Sequence, residues 1–413
     1  MDERLVARGL VRAPFGRFLL WLSPWVALLG LGLYAAYLCL AIGLNQTNMD
    51  NRFAFGLWIY LDLTVIALGA GAFFTGFLLY VMKKRELAAV ISSAVVIGFI
   101  CYSGAVAILA IDVGQPLRFW FTFWHPNVHS MLTEVTFCLT CYLTVLAIEY
   151  LPLVLKNRQL KKRPSMLVFE FELHKVMAVF ALVGTFLSFF HQGSLGGLYG
   201  VLQGRPFAYR ESLLAWPSTF FLFILSAAAV GPSFVLATTW IVSKVSGRSL
   251  VKPGVLDLLA RVSGSLLLVY VLAKSVDTLV WINRTSFQLG VHPASFYAFA
   301  PFGTWALFTE IVLLGLVPAI LLALPRTRRD PRLVVPAAFL ACAGVAMNRF
   351  VMTVQTLALP TLAFDPFLSY TPSWQEVASF LAVVAYGVIL YSLSFRYLNL
   401  FPQERELAAA PEA

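Results

Sequence analysis

Ten stretches of this chain run for twenty or more residues with almost no charge, and that feature leaves little choice of fold. A span across a bilayer needs about 20 apolar residues. The candidate spans are 18–42, 57–82, 87–112, 128–155, 168–192, 213–243, 255–282, 301–324, 333–356 and 374–398. The composition agrees: 60% of the residues are hydrophobic and 12% are charged, about half the charge of an ordinary soluble domain. A water-soluble fold could not hide so much apolar surface. In lipid the backbone must satisfy itself, so runs of this length are helices. The expected class is an all-α integral membrane protein with ten transmembrane helices.

Charge then orients the chain. Of the 30 Lys and Arg residues, 21 fall in the two termini and alternate loops, 5 in the other five loops, and 4 within helices. Basic loops stay on the cytoplasmic side, which places both termini there. The expected organisation is a cytoplasmic segment 1–17, a membrane domain 18–398 and a cytoplasmic tail 399–413. The first run is too long for a signal-peptide core and shows no small-residue cleavage site, so it is expected to remain as a helix. The net charge of +10 reflects these loops rather than nucleic-acid binding, since no basic stripe carries interleaved aromatics. All five cysteines lie in apolar runs; Cys138 and Cys141 form a lone CxxC pair, too little for a metal site. The outer loops are long and rich in aromatics, Gly and Pro ("GQPLRFWFTFWHPN", "GSLGGLYGVLQGRPFAYRE", "FDPFLSYTPSWQE"), a pattern that suits docking of a partner, with an interfacial aromatic belt as the alternative.

Ionisable side chains inside a membrane are costly and are candidates for function. Near the outer ends lie Asp62, Asp112, Glu134, His191, the Lys274/Asp277 pair and Glu376. Glu134 is read as six residues inside its helix, and His191 as the end of the adjacent antiparallel one. Asp112 can equally be a plain helix end. Lys274 and Asp277, three apart on one face, can neutralise each other. Glu310 and Arg349 lie near mid-membrane, with Glu149, Glu170, Glu172 and His174 towards the inner side. The last three read equally as a solvated first turn or as part of a proton relay. The five histidines sit at loops or helix ends, which disfavours haem, and no nucleotide or zinc motif is present.

The motifs "FGLWIYLDLTVIALGAGAF", "AIDVGQP", "HPNVHSMLTEVTF", "HQGSLGGLYG", "FTEIVLLGLVP", "NRF" and "YTPSWQEV" occur in the order seen in the NrfD/PsrC family of quinone-interacting membrane subunits. The ten-helix length most resembles the branch with the HybB hydrogenase membrane subunit and its relatives in the Dsr, Hmc and Qrc complexes of sulfate reducers. The resemblance implies two four-helix bundles, about 57–192 and 213–356, flanked by peripheral first and last helices. It implies a quinone pocket near the outer face beneath an iron–sulfur subunit, in the inner membrane of an anaerobically respiring prokaryote, with no haem or metal in this subunit. Glu134 and His191 fall where quinone-contacting residues are expected, and Asp62 and Asp112 match acidic positions at neighbouring helix ends. Glu310 and Arg349 match polar positions buried in the second bundle. Menaquinone is the quinone that the sulfate-reducer relatives suggest.

The residues themselves suit that chemistry. Quinone reduction takes two electrons and two protons, so the site needs groups that hydrogen-bond the carbonyls and exchange protons. His191 and Glu134 are the catalytic candidates, while Gly193 and Ser194 in "GSLGG" would let backbone approach the head group. Glu149, Asp277, Lys274, Glu310 and Arg349 are candidates for a proton path. Two rivals stay open: a passive anchor for a redox partner, and a secondary transporter, for which "VGPSF" could break the sixth helix.

Overall fold

The computed structural model describes residues 5–6, 10–155, 164–213, 215–299, 301, 303–359, 366–404 and 407, with side chains left aside at 72, 73, 164–178 and 213. Among the described residues ten helices are long and apolar enough to cross a membrane. They are α1 Phe15–Ala41, α2 Leu57–Tyr80, α3 Ile91–Asp112, α4 Met131–Leu155, α5 Pro164–Gly200, α6 Ser218–Ser246, α7 Pro253–Gln288, α8 Gly303–Ala323, α9 Pro331–Ala358 and α10 Trp374–Tyr397. The only strand pairing among the described residues is a two-residue ladder, Ser212–Leu213 with Trp216–Pro217, in the loop between α5 and α6.

The expected and observed spans differ most at α5. The sequence reading ended it at His191 and made "GSLGGLYG" a loop, but the helix runs on to Gly200. Its glycines serve close packing in a bundle, where small residues let helices approach. A Cβ on Gly196 would collide with the Thr219 carbonyl oxygen, and one on Gly193 would meet the Phe220 ring at 2.5 Å. The break at Pro232 that a transporter would want is absent: α6 is continuous through it.

Helices α2 to α5 pack on one another, and so do α6 to α9. The two groups meet where α6 lies against α2 and α5, and where α9 touches α2. At the crossing of α2 and α6 a Cβ on Gly231 would run into the Gly71 backbone, so only glycine permits this contact. Helices α1 and α10 pair with each other outside the groups, and α10 leans on α3. Hydroxyl pairs hold α10 there: Ser103 with Tyr386 at 2.8 Å, Ser93 with Tyr391 at 2.7 Å and Tyr150 with Ser394 at 3.0 Å.

The faces of the bundle differ. The basic face carries both termini, where Glu404 pairs with Arg12 at 2.7 Å and Arg248 at 3.1 Å. The opposite, aromatic face carries the loops before α2, α4, α6, α8 and α10. There Glu376, in the first turn of α10, accepts from the Asn48 amide at 3.1 Å and forms a capping box with Ser373. Tyr370 also donates to Glu376. Burial and that carboxylate raise the Tyr370 phenol far above its usual range, so it stays a donor.

Candidate functional site

Three helices of the first group bring unpaired polar atoms into one region below the aromatic face. His191 is fully buried on α5, nine residues short of Gly200, roughly 14 Å from the helix end. Neither of its ring nitrogens meets a hydrogen-bond partner, although the Val135 carbonyl of α4 lies beside the ring. One turn on from His191, Ser194 lies beside Glu134 of α4, whose Oε1 is buried without a partner. Glu134 is in the first turn of α4, which starts at Met131, rather than two turns in as the sequence reading placed it. Across the space on α2, Asp62 is 6% exposed and its Oδ1 is unpaired. Asp112, half-buried at the end of α3, lies within electrostatic range of both Asp62 and Glu376.

Neutral groups complete the region, and the sequence reading missed them. The Tyr102 ring sits 5.9 Å from the His191 ring and 4.2 Å from that of Tyr142. Its hydroxyl pairs with Ser188 at 3.3 Å. Gln192 is fully buried with Nε2 unpaired, while its Oε1 accepts from Arg349 of α9 at 3.3 Å. A signal for the tyrosines existed in the sequence: a phenol inside an apolar span needs a partner for its hydroxyl. Gly193 and Ser194 do not open onto the region as a flexible rim. Gly193 is filled against Phe220, and the Ser194 hydroxyl donates to the Phe190 carbonyl at 2.9 Å.

Beyond Gln192 the second group carries a continuous polar chain. Arg349 is fully buried; it stacks 3.6 Å from the Phe223 ring centroid and donates to Ser226 at 3.0 Å and Asn348 at 2.5 Å. Asn348 donates to Glu310 at 2.7 Å, and Glu310 lies 3.5 Å from the Lys274 ammonium. The expected Lys274/Asp277 pair is therefore not the main pairing. Asp277 binds Arg210 at 2.9 Å and accepts from Ser218 at 2.5 Å, while Lys274 turns to α8. Three apart on one helix face means a shared side, but neighbouring helices offered each residue a closer partner.

The backbone of this second group is also irregular. Wide π turns span Trp281–Thr285, Thr309–Leu316 and Val351–Gln355. Glu310 lies in the second of them, and Arg349 stands just before the third. Such turns recur at functional sites because they re-aim side chains. A cavity of about 10 Å³ beside Glu310, Tyr270 and Ser226 has room for one water centre, and the Tyr270 hydroxyl is buried and unpaired.

Glu149 is buried in the lower half of α4, within electrostatic range of Tyr142 and Tyr80. The side chains of Glu170, Glu172 and His174 lie outside the described residues. Among the described residues no group of three or more His, Cys, Asp or Glu could hold a metal ion.

The sequence is similar to those of known membrane subunits. The family described as "Polysulphide reductase, NrfD" matches residues 45–360. The chain is 48% identical over 408 residues to the "Menaquinone reductase, integral membrane subunit" of Nitratidesulfovibrio vulgaris, covering 98% of this chain and 97% of that one. It is 25% identical to the "Probable Ni/Fe-hydrogenase 2 b-type cytochrome subunit" of Escherichia coli, with 88% of each chain covered. It is 23% identical to the "Hdr-like menaquinol oxidoreductase integral membrane subunit" of Archaeoglobus fulgidus, over 91% of this chain and 92% of that one.

Proposed function

The chain belongs to the NrfD family of multi-pass prokaryotic membrane proteins, and from that membership we propose that it is the quinone-reactive subunit of a respiratory oxidoreductase complex. In this reading the aromatic face is the outer one, and an iron–sulfur subunit docks there. Electrons pass between that subunit and a menaquinone whose head group lies among His191, Glu134, Asp62 and Gln192. The observation that carries the reading is the set of buried, unpaired polar atoms on those four side chains. A buried polar atom without a partner costs about 1–3 kcal/mol, and five together point to a ligand that completes them.

The chemistry of the donor set fits a quinone. The substrate accepts two electrons and two protons at its carbonyl oxygens. One ring nitrogen of His191 donates to a carbonyl oxygen while the other accepts, and the Gln192 amide is a second donor. Glu134 is half-exposed at the head of α4, so it can exchange a proton with that carbonyl region and take up another. The Tyr102 and Tyr142 rings, packed edge to face, supply apolar surface. Asp62 and Asp112, within electrostatic range of each other, are two further carboxyls that can carry a proton near the head group.

Two polar routes support coupling of this site to proton movement. One runs from Gln192 through Arg349, Asn348 and Glu310 to Lys274 and Asp277. The other descends from Tyr102 through Tyr142 to Glu149, nearer the basic face. We read the subunit as having no haem of its own. Among the described residues His191 is the one buried histidine, with His125, His129 and His292 exposed.

The test is quinone turnover by the assembled complex carrying Glu134→Gln or His191→Ala. Loss of turnover with assembly intact is expected. Turnover retained in both variants would leave the subunit a passive anchor.

A further inference from the structure

The loop between α3 and α4 behaves differently from the other loops of the aromatic face. It forms a 3-10 turn, Pro116–Arg118, followed by one short helical turn, Phe121–Trp124. Its apolar side chains are open: Leu117 is 89% exposed, Trp124 73% and Val128 83%, with Trp120 and Phe121 near one half. Among the described residues, every hydrogen bond made by residues 116–129 closes within the loop itself. The loop before α6, by contrast, is fastened to the helices by Arg210 on Asp277 and by Trp281 Nε1 donating to the Pro206 carbonyl at 2.9 Å.

What holds the α3–α4 loop is an aromatic contact on the flank of the bundle. The Phe123 ring packs 5.3 Å from that of Phe137, and Phe119 packs 6.2 Å from Phe123. Phe137 lies almost two turns inside α4 and is itself exposed, like Leu132, so it belongs to the band that faces lipid tails. The loop thus continues the lipid-facing band instead of capping the top of the bundle. Its composition matches a bilayer boundary. Residues 113–130 contain no acidic side chain, two tryptophans, Arg118, His125 and His129. Tryptophan rings settle at the headgroup level, and a cation there meets lipid phosphate.

We infer that residues 116–128 form an interfacial foot seated in the headgroup region of the leaflet on the aromatic face, with phospholipid as its partner. Large contiguous apolar patches call for a covering surface, and the Phe123–Phe137 contact places that surface at the membrane. For this loop the sequence favours partner docking over an interfacial belt, and the structure turns that preference round. The foot leaves the loops before α2, α6, α8 and α10 for a protein partner, and it stands whether or not a quinone binds at His191.

The test places a nitroxide spin label at Leu117→Cys and, separately, at Val128→Cys, in the complex reconstituted into phospholipid nanodiscs. Both positions are exposed, and Cys141→Ser removes the one native cysteine that is exposed. The expected result is broadening when headgroup-labelled lipid is added, with relaxation by oxygen and by a water-soluble nickel chelate of similar size, between the hydrocarbon and water extremes. Nickel-chelate relaxation at the full value of a water-exposed label, without that broadening, would mean that the loop stands in water. Shielding from both reagents with an immobilised spectrum would mean that a protein covers it. Either of those results at both positions would overturn the proposal.

Discussion

Around His191 the first helix group leaves ring nitrogens, a carboxylate oxygen and an amide without partners, whereas around Glu310 the second group gives each charged side chain a partner. Both regions are buried, and both were flagged by the same rule about charge in membranes. The difference lies in what completes each one. Paired charges in the second group are satisfied by the chain itself, so removing one partner strands another. The unpaired atoms in the first are completed only from outside, so replacing His191 strands no partner. Stability and turnover should therefore respond oppositely in the two regions.

The largest expected effect on stability is at Arg349. Replacing it with Leu removes donors to Asn348, Gln192 and Ser226 and empties the cation site over Phe223. Breaking a buried charged network of this kind costs on the order of 3–5 kcal/mol. Thermal unfolding of the purified complex in detergent should show a large drop in midpoint, with turnover lost as a consequence. An unchanged midpoint would mean that Arg349 contributes nothing net, and the contrast would fail on that side.

His191→Leu should do the reverse. The substitution removes two unpaired nitrogens and inserts a side chain of comparable bulk into a fully buried position. Stability should stay within about 1 kcal/mol or rise, while quinone turnover falls by about 100-fold or more. A clear loss of stability with turnover spared would make His191 a packing residue and return the unpaired atoms to mere strain.

The helices could be read from hydropathy alone, because a membrane demands long apolar runs and little else produces them. The end of α5 could not. Glycines at 193, 196, 197 and 200 look like a loop to any reading of local preference, yet in a bundle they are where Phe220, Thr219, Met131 and Pro217 fit closely. The pairing of Lys274 and Asp277 failed for a related reason: spacing fixes a shared face but not which neighbour stands opposite. Tyr102, Gln192 and Asn348 were passed over because they carry no charge, although they link the charged members of both regions. Ionisable residues mark where a site is, and neutral partners determine how it is connected.

The sharpest test of what the paired region is for is a double substitution. Lys274→Met alone leaves the Glu310 carboxylate without its cation, and Glu310→Gln alone leaves the ammonium without that carboxylate. Each single change should cost several kcal/mol. Combined, they exchange the ion pair for two neutral side chains of similar length, and the amide oxygen brought in by Glu310→Gln can still accept from Asn348 as the carboxylate does. The double variant should therefore be more stable than either single one, which requires a coupling larger than the cost of a single change. Its turnover at His191 should persist in detergent, because the quinone-side groups are untouched. Charge movement across proteoliposomes should fall if protons travel this way, since neither neutral side chain carries one. Charge movement equal to wild type would make the second group a structural staple and leave the Tyr142–Glu149 route as the path for protons.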